Sequence, residues 1–491
     1  PEETQLVLAR SDVARRLRCM AGVDVGPLAV GPRWHVGSSR GEDAEATPEK
    51  AAELADDSSS APATELVPGD PVPPSVTAPV PRPGSSPSQA IEPNAYPPPL
   101  RAHLCARAAA DGDPEAEAWK LDVVRRLRAA LIGYGMEFRL QDARLTPNAV
   151  LVRVEGSDRL TVAMVERKRT ELLTSHGLDV LAVLPAPGAV VVMIRRPERA
   201  RLDIASVWAT AAVPPGAPWS ATSLLLGLRE DTGAPLFLNV SGEFAGQPEH
   251  DPHTLIAGKT GGGKGVLVQN LLLYLCATNA PSRARIRVID PKMGLDYRWL
   301  RGMPHLEEPI ITSQEEAAAA LEALVTEMNR RYELFATREG VMKLEHYNRA
   351  VPAAERLPRI WLFHDEFATW GQTRAYREMA ERSINSLGQM ARAAGIHLVL
   401  ITQRPDKDCM PLQARENLGN RLALQVQNEA NAALIGVPGA ERLLGKGHLG
   451  AKLPGEPEPV IHAQVPFVTA EELATLARLI ADFWRDAPDR P

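Results

Sequence analysis

Residues 258–265 read Gly258-Lys259-Thr260-Gly261-Gly262-Gly263-Lys264-Gly265, a spacing of glycine and lysine suited to wrapping a polyphosphate. Glycines let the backbone turn its N–H groups inward on an anion. The helical pattern that opens at Val266 adds the positive end of its dipole, and Lys264 falls where an ammonium would neutralise β- and γ-phosphate oxygens of ATP. An apolar strand pattern at 253–257 precedes the loop and a helical run at 266–275 follows it, the order that this chemistry requires. One position departs from the pattern: Gly265 stands where a Ser or Thr hydroxyl normally holds Mg²⁺. Either water or another side chain, such as Thr260, completes the metal shell, or hydrolysis is slow; Mg²⁺ commonly keeps several waters.

A second apolar run, 360–364, delivers Asp365 and Glu366 at its C-terminal end, where ligands gather in open α/β sheets. Asp365 is the candidate Mg²⁺ ligand, direct or through water, and Glu366 the candidate that orients and polarises an attacking water. Taken alone, an Asp-Glu pair after a strand is often only a solvated strand end, but its pairing with the glycine-rich loop favours the chemical reading. A third run, 397–401, ends in Thr402-Gln403-Arg404-Pro405. The Gln403 amide is the candidate sensor of the γ-phosphate or its water, with an ordinary loop or helix-capping role as the alternative.

The elements that must position these groups are legible in the same way. From residue 220 onwards, short β-branched runs at 236–240, 254–257, 286–290, 360–364, 397–402 and 422–427 alternate with helical patterns, which predicts a mostly parallel central sheet covered on both faces. Upstream, residues 115–218 read as a small α/β domain. Trp119, Leu121, Val123, Val124, Leu127, Ala130 and Leu131 mark an amphipathic helix there, and 149–155 and 190–195 read as strands. Residues 41–114 are rich in Ala, Pro, Ser, Glu and Asp, too poor in apolar surface to offset ordering entropy, and are expected to be a disordered linker after a short segment at 1–40 with no assignable role.

The totals exclude little but narrow the class. With 491 residues, 44% hydrophobic and 24% charged, the chain is long enough for two or three compact units. A net charge of −6 carries no global basic signature, so any nucleic-acid contact would rest on a local patch or a ring lumen. Cys19, Cys105, Cys276 and Cys409 lie far apart without a zinc or disulfide spacing, and are expected to be reduced, buried thiols of a cytoplasmic protein. The most apolar stretch, 180–194, is broken by Pro185, Pro187 and Gly188 and is too short for a bilayer core of about 30 Å. Membrane association is expected only through residues missing before Pro1 or through a partner.

On these residues the chain resembles the FtsK/SpoIIIE family of DNA translocases, plasmid-borne conjugative relatives included, over roughly residues 118–468. The resemblance is carried by the segment 253–267, by Val288-Ile289-Asp290-Pro291-Lys292-Met293, by Met328-Asn329-Arg330-Arg331-Tyr332-Glu333-Leu334-Phe335, by Asp365-Glu366-Phe367-Ala368, by 391–405 and by 439–447. It implies a RecA-like P-loop ATPase motor over 219–491, working as a homo-hexamer threaded by double-stranded DNA, with ATP bound between neighbours and the 115–218 domain forming a second tier. By matching position it implies that Arg392 is an arginine finger reaching a neighbour's γ-phosphate. Glu429 stands where the family often has a basic residue near the subunit interface. The implied function is ATP-driven movement of duplex DNA in conjugative transfer or chromosome or plasmid partitioning, with Arg404 to Lys407 as a DNA contact. The alternatives are the ATPase subunit of a secretion or defence system, or a weakly hydrolysing regulatory module, which Gly265 would suit.

Overall fold

In the upstream domain, Val123, Leu127, Ala130 and Leu131 recur at helical spacing along the helix Pro114–Gly133, and all four are buried. They cover one face of an antiparallel sheet built from β1 (Leu140–Leu145), β2 (Ala149–Glu155), β3 (Val180–Ala186) and β4 (Ala189–Arg195), in the order β1-β2-β4-β3. Leu121, expected on the buried stripe, is exposed instead. The apolar stretch at 180–194 is therefore a hairpin, and no helix among the described residues is long and apolar enough to cross a membrane.

This computed structural model describes residues 96–108, 114–210, 222–241, 248–307, 309–403, 410 and 412–486, all within one unit of the chain, 84–491. The second sheet holds β5 (Ser223–Arg229), β6 (Pro235–Asn239), β7 (Thr254–Ala257), β8 (Ala284–Ile289), β9 (Arg359–His364), β10 (Ile396–Thr402), β11 (Asn420–Ala423), β12 (His448–Lys452) and β13 (Ile461–Gln464). Its order is β6-β5-β13-β12-β11-β7-β10-β9-β8. The run from β11 to β8 is parallel and the remaining pairs are antiparallel. Parallel strands covered on both faces read as continuous apolar runs, and β7, β9 and β10 are buried at every residue. Alternate side chains serve two cores. Ile256, Trp361 and Phe363 pack with the helices Lys264–Thr278 and Ala470–Asp486, whereas Leu255, Ile360 and Leu362 pack with Gln314–Ala336 and Arg374–Ala394.

Register sets the functional edge. Ala257 pairs with Thr402, and His364 with Leu400, so the residues that follow β7, β9 and β10 leave the sheet side by side.

Three further expectations need correction. A helix, Pro98–Ala108, lies inside the stretch expected to be a disordered linker. Its Leu100 and Leu104, with Tyr96, are buried in the core of the larger sheet beside Trp208 and Tyr274, and Tyr96 stacks on Trp208 at 5.6 Å. Each such leucine is worth about 1.5–3 kcal/mol when fully buried, a gain that the window's polar average conceals. The helix Ile204–Thr210, placed by sequence in the small domain, buries Ile204, Val207 and Trp208 in that same core. Cys105 is exposed rather than buried, whereas Cys276 is buried as expected. Cys19, Cys409 and the segment 1–40 lie outside the described residues.

Candidate functional site

The glycine-rich loop is shaped by what presses on it. A Cβ on Gly263, where φ is 110°, would lie 2.6 Å from the Gly447 nitrogen, and one on Gly258 would lie 2.8 Å from Leu424 Cβ. Neither position tolerates a larger residue without a shift. The loop backbone is pinned from outside: Lys259 N–H donates to the Gln425 carbonyl at 2.8 Å, and Gly447 N–H donates to the Gly262 carbonyl at 2.9 Å. Inside it, the Lys264 ammonium folds back to donate to the Gly258 carbonyl at 2.5 Å. Burial lowers the Lys264 pKa, against the attraction of Glu366 and Asp365.

Glu366 adopts φ 40°, one of three non-glycine residues with positive φ among the described residues. That turn aims its carboxylate at Gln403, whose side-chain amide donates to Oε2 at 2.6 Å and whose backbone N–H donates to Oε1 at 3.1 Å. The Gln403 side-chain oxygen, Oε1, in turn accepts from the Thr260 hydroxyl at 2.7 Å. Asp365 accepts from the Tyr297 hydroxyl at 2.9 Å and from Glu366 N–H at 2.8 Å. Burial raises the Asp365 pKa while the Tyr297 bond opposes the rise, and burial likewise raises Asp290, one of whose oxygens has no partner among the described residues.

A cavity of about 860 Å³ gathers most of the sequence-predicted residues. Lys259, Thr260, Gly261, Gly263, Lys264, Gly265 and Val266 line it, together with Asp365, Glu366 and Gln403, while Gly258 and Gly262 brace the loop from behind. The size, the glycine-rich loop at the start of the helix Lys264–Thr278, the lysine and a buried carboxylate suit a nucleoside triphosphate with its divalent cation. Among the described residues no cluster of three or more His, Cys, Asp or Glu is arranged for a metal, and Asp296, Asp365 and Glu366 are carboxylates that line the cavity with Lys264. A Cβ on Gly265 meets nothing within 4 Å.

Arg392 is not in this cavity. It sits at the opposite edge of the sheet, near the start of β10, where it pairs with Glu249 and Asp251 at 3.2 Å each and donates to the His250 carbonyl at 3.0 Å. Arg404 to Lys407 lie outside the described residues.

Sequence reasoning missed the cavity's other wall: Tyr297, Lys446, Gly447, Val465, Phe467 and the segment 198–202. It also missed Arg199, whose guanidinium reaches Asn148 Oδ1 (2.6 Å), Gln464 Oε1 (3.0 Å) and the carbonyls of Leu444 (3.1 Å) and Gly445 (3.0 Å). One side chain thus joins the small domain to the loop that braces the phosphate loop. Only the glycines flanking Lys446 left a signal in the sequence.

Residues 219–407 match the model of the FtsK/SpoIIIE family. The DNA translocase FtsK of Sporosarcina ureae is 28% identical over 370 residues, covering 73% of this chain and 45% of that protein. The DNA translocase SpoIIIE of Bacillus subtilis is 30% identical over 363 residues, covering 71% and 44%. The chain therefore spans less than half the length of these relatives. Among solved structures, the pCW3 conjugation coupling protein TcpA with ATPγS has a TM-score of 0.48 at 19% identity, over 73% of this chain and 99% of that one. The cytoplasmic domain of the type VII secretion ATPase EccC of Thermomonospora curvata has a TM-score of 0.48 at 23% identity, over 57% and 34%.

Proposed function

From a chain whose residues 219–407 form an FtsK/SpoIIIE family domain, we propose an ATP-driven motor that moves double-stranded DNA. The observation that carries this reading is the convergence of Lys264, Asp365, Glu366 and Gln403 on one cavity at one sheet edge. Loop N–H groups and Lys264 hold the phosphates. Asp365 would hold Mg²⁺, directly or through water, with water supplying what Gly265 cannot. When bound, the cation would offset charge on the phosphate oxygens. Glu366 orients water and accepts its proton. Each Glu366 oxygen accepts one bond from Gln403 in this structure and keeps a further lone pair, so the carboxylate is held in place and can still accept from water.

Further parts of the proposal rest on the family relationship. The motor works as a homo-hexameric ring around duplex DNA, with Arg392 completing a neighbour's site. Its position at the edge opposite its own Lys264 is compatible with action in trans and not with action in cis. Release from Glu249 and Asp251 is then part of assembly. The process is conjugative transfer or chromosome or plasmid partitioning, and the small domain forms a second tier.

Steady-state ATP turnover measured with and without duplex DNA, at low and at high salt, tests the reading. Turnover should rise with DNA and the rise should fade with salt as counterion release weakens binding. Turnover indifferent to DNA at low salt would sink the motor reading.

A further inference from the structure

Six cations line the cavity: Lys259 and Lys264 in the phosphate loop, and Arg199, Arg201, Lys292 and Lys446 outside it. Three of the outer four are engaged. Arg199 makes the four hydrogen bonds given above, Arg201 lies over the Phe467 ring at 5.2 Å, and Lys292 is 3.9 Å from Asp296. The Lys446 ammonium has no hydrogen-bond or ion-pair partner among the described residues.

The backbone around Lys446 is unusual. Gly445, Lys446 and Gly447 have φ of 71°, 50° and 85°, three left-handed residues in a row. Glycine enters this region freely, and a lysine there is strained. The strained residue is also clamped. Its carbonyl accepts from Gln464 Nε2 at 3.0 Å, and the next N–H, that of Gly447, donates to the Gly262 carbonyl of the phosphate loop at 2.9 Å. Backbone strain held in place by its surroundings at a binding cavity points to a side chain kept there for what it does. Glycine would satisfy the turn at 446 at lower cost, but it would bring no charge.

We propose that Lys446 is a phosphate-binding residue, acting in the same chain as the phosphate loop and adding positive charge to the polyphosphate of the bound nucleoside triphosphate. This rests on the nucleotide reading of the cavity.

The test uses the full chain, binding of a fluorescent ATPγS derivative by titration, and thermal melting without nucleotide. Lys446→Gly removes the ammonium and relieves the turn, so the nucleotide-free protein should melt at the same or a higher temperature while ATPγS affinity falls about tenfold or more. Lys446→Arg should keep affinity within about threefold of wild type, because the charge is retained. Wild-type affinity in Lys446→Gly overturns the assignment. So does a Lys446→Gly chain that loses melting temperature and affinity together, which would mark a structural role. Wild-type chain that fails to bind ATPγS, or binds it equally well after Lys264→Ala, brings down the nucleotide reading itself and this proposal with it.

Discussion

Gln403 grips Glu366 twice, through its side-chain amide at 2.6 Å and its backbone N–H at 3.1 Å, so that both oxygens of one carboxylate are held by one residue. The grip explains how Glu366 can sit at φ 40° in the wall of a largely buried site. It also sets the orientation from which a water would be polarised. Glu366→Gln should therefore bind ATP with affinity close to wild type and lose turnover by about 10²–10⁴-fold, the usual worth of a positioned base. Gln403→Ala should lower turnover less, by about tenfold or more, since it removes the positioning but leaves the carboxylate. Nucleotide binding and single-turnover hydrolysis on the same preparations check both. Normal turnover in Glu366→Gln would remove Glu366 from the mechanism.

Gly265 lacks the hydroxyl that the phosphate-loop pattern supplies, and the space where a side chain would stand is open. Gly265→Ser should fold normally and change the turnover rate by no more than about threefold, because the proposed motor, if active, must already replace that ligand with water. Mg²⁺ titrations of ATPase rate in both proteins give the readout. A large gain in the serine variant would mean that the natural site is crippled and would favour the weakly hydrolysing regulatory module.

Arg392 is about half exposed and its two carboxylate partners are also part-exposed, so Arg392→Ala should cost less than about 1 kcal/mol of stability. Its effect on turnover should be far larger, by orders of magnitude, if the residue completes a neighbour's site. Arg392→Ala and Lys264→Ala proteins, each nearly inactive, should regain measurable ATPase when mixed before assembly, because some interfaces then pair an intact loop with an intact arginine. Titrating each into wild type shows how steeply it poisons the proposed ring, which covers the case of strict coordination between sites. Near-normal DNA-stimulated turnover in Arg392→Ala alone would return the residue to its structural pairs.

His253, His305 and His364 are fully buried, and burial pushes each from 6.5 down to about 4. They fold as neutral rings. Between pH 6.5 and 4 the unfolded chain takes up protons that the folded chain refuses, so stability falls as pH drops through that window and recovers as pH rises. Each ring contributes at most about 1.4 kcal/mol per pH unit. Asp290 and Asp365, raised by burial, offset part of this just above their ordinary value of 3.8. Urea midpoints measured from pH 7 to pH 4 should decline steadily, and His364→Gln, which keeps a hydrogen-bonding group beside the Tyr376 hydroxyl, should shallow the decline. A flat profile would contradict the neutral-histidine account.

Sequence by itself determined the parts of this protein whose chemistry is local. The phosphate loop needs glycines and a lysine at set intervals between a strand and a helix, and a buried parallel strand needs an unbroken apolar run, so residues 258–266, Asp365, Glu366 and Gln403 could be singled out in advance, and most of them line one cavity. The helix Pro98–Ala108 was not, because its two buried leucines are diluted by polar neighbours and acquire meaning only against Trp208 and Tyr274. Nor were the long-range pairs. Thr260 bonds to Gln403 across 143 positions, Tyr297 to Asp365 across 68, and Arg199 to Gln464 across 265. Those meetings depend on the strand order β11-β7-β10-β9-β8 and on antiparallel strands laid against it. That order is settled by how helices cover the two faces of the sheet, a property of the whole core that no local spacing records. For the same reason only the tertiary structure placed Arg392 at the far edge from Lys264 and pressed Gly447 against the phosphate loop.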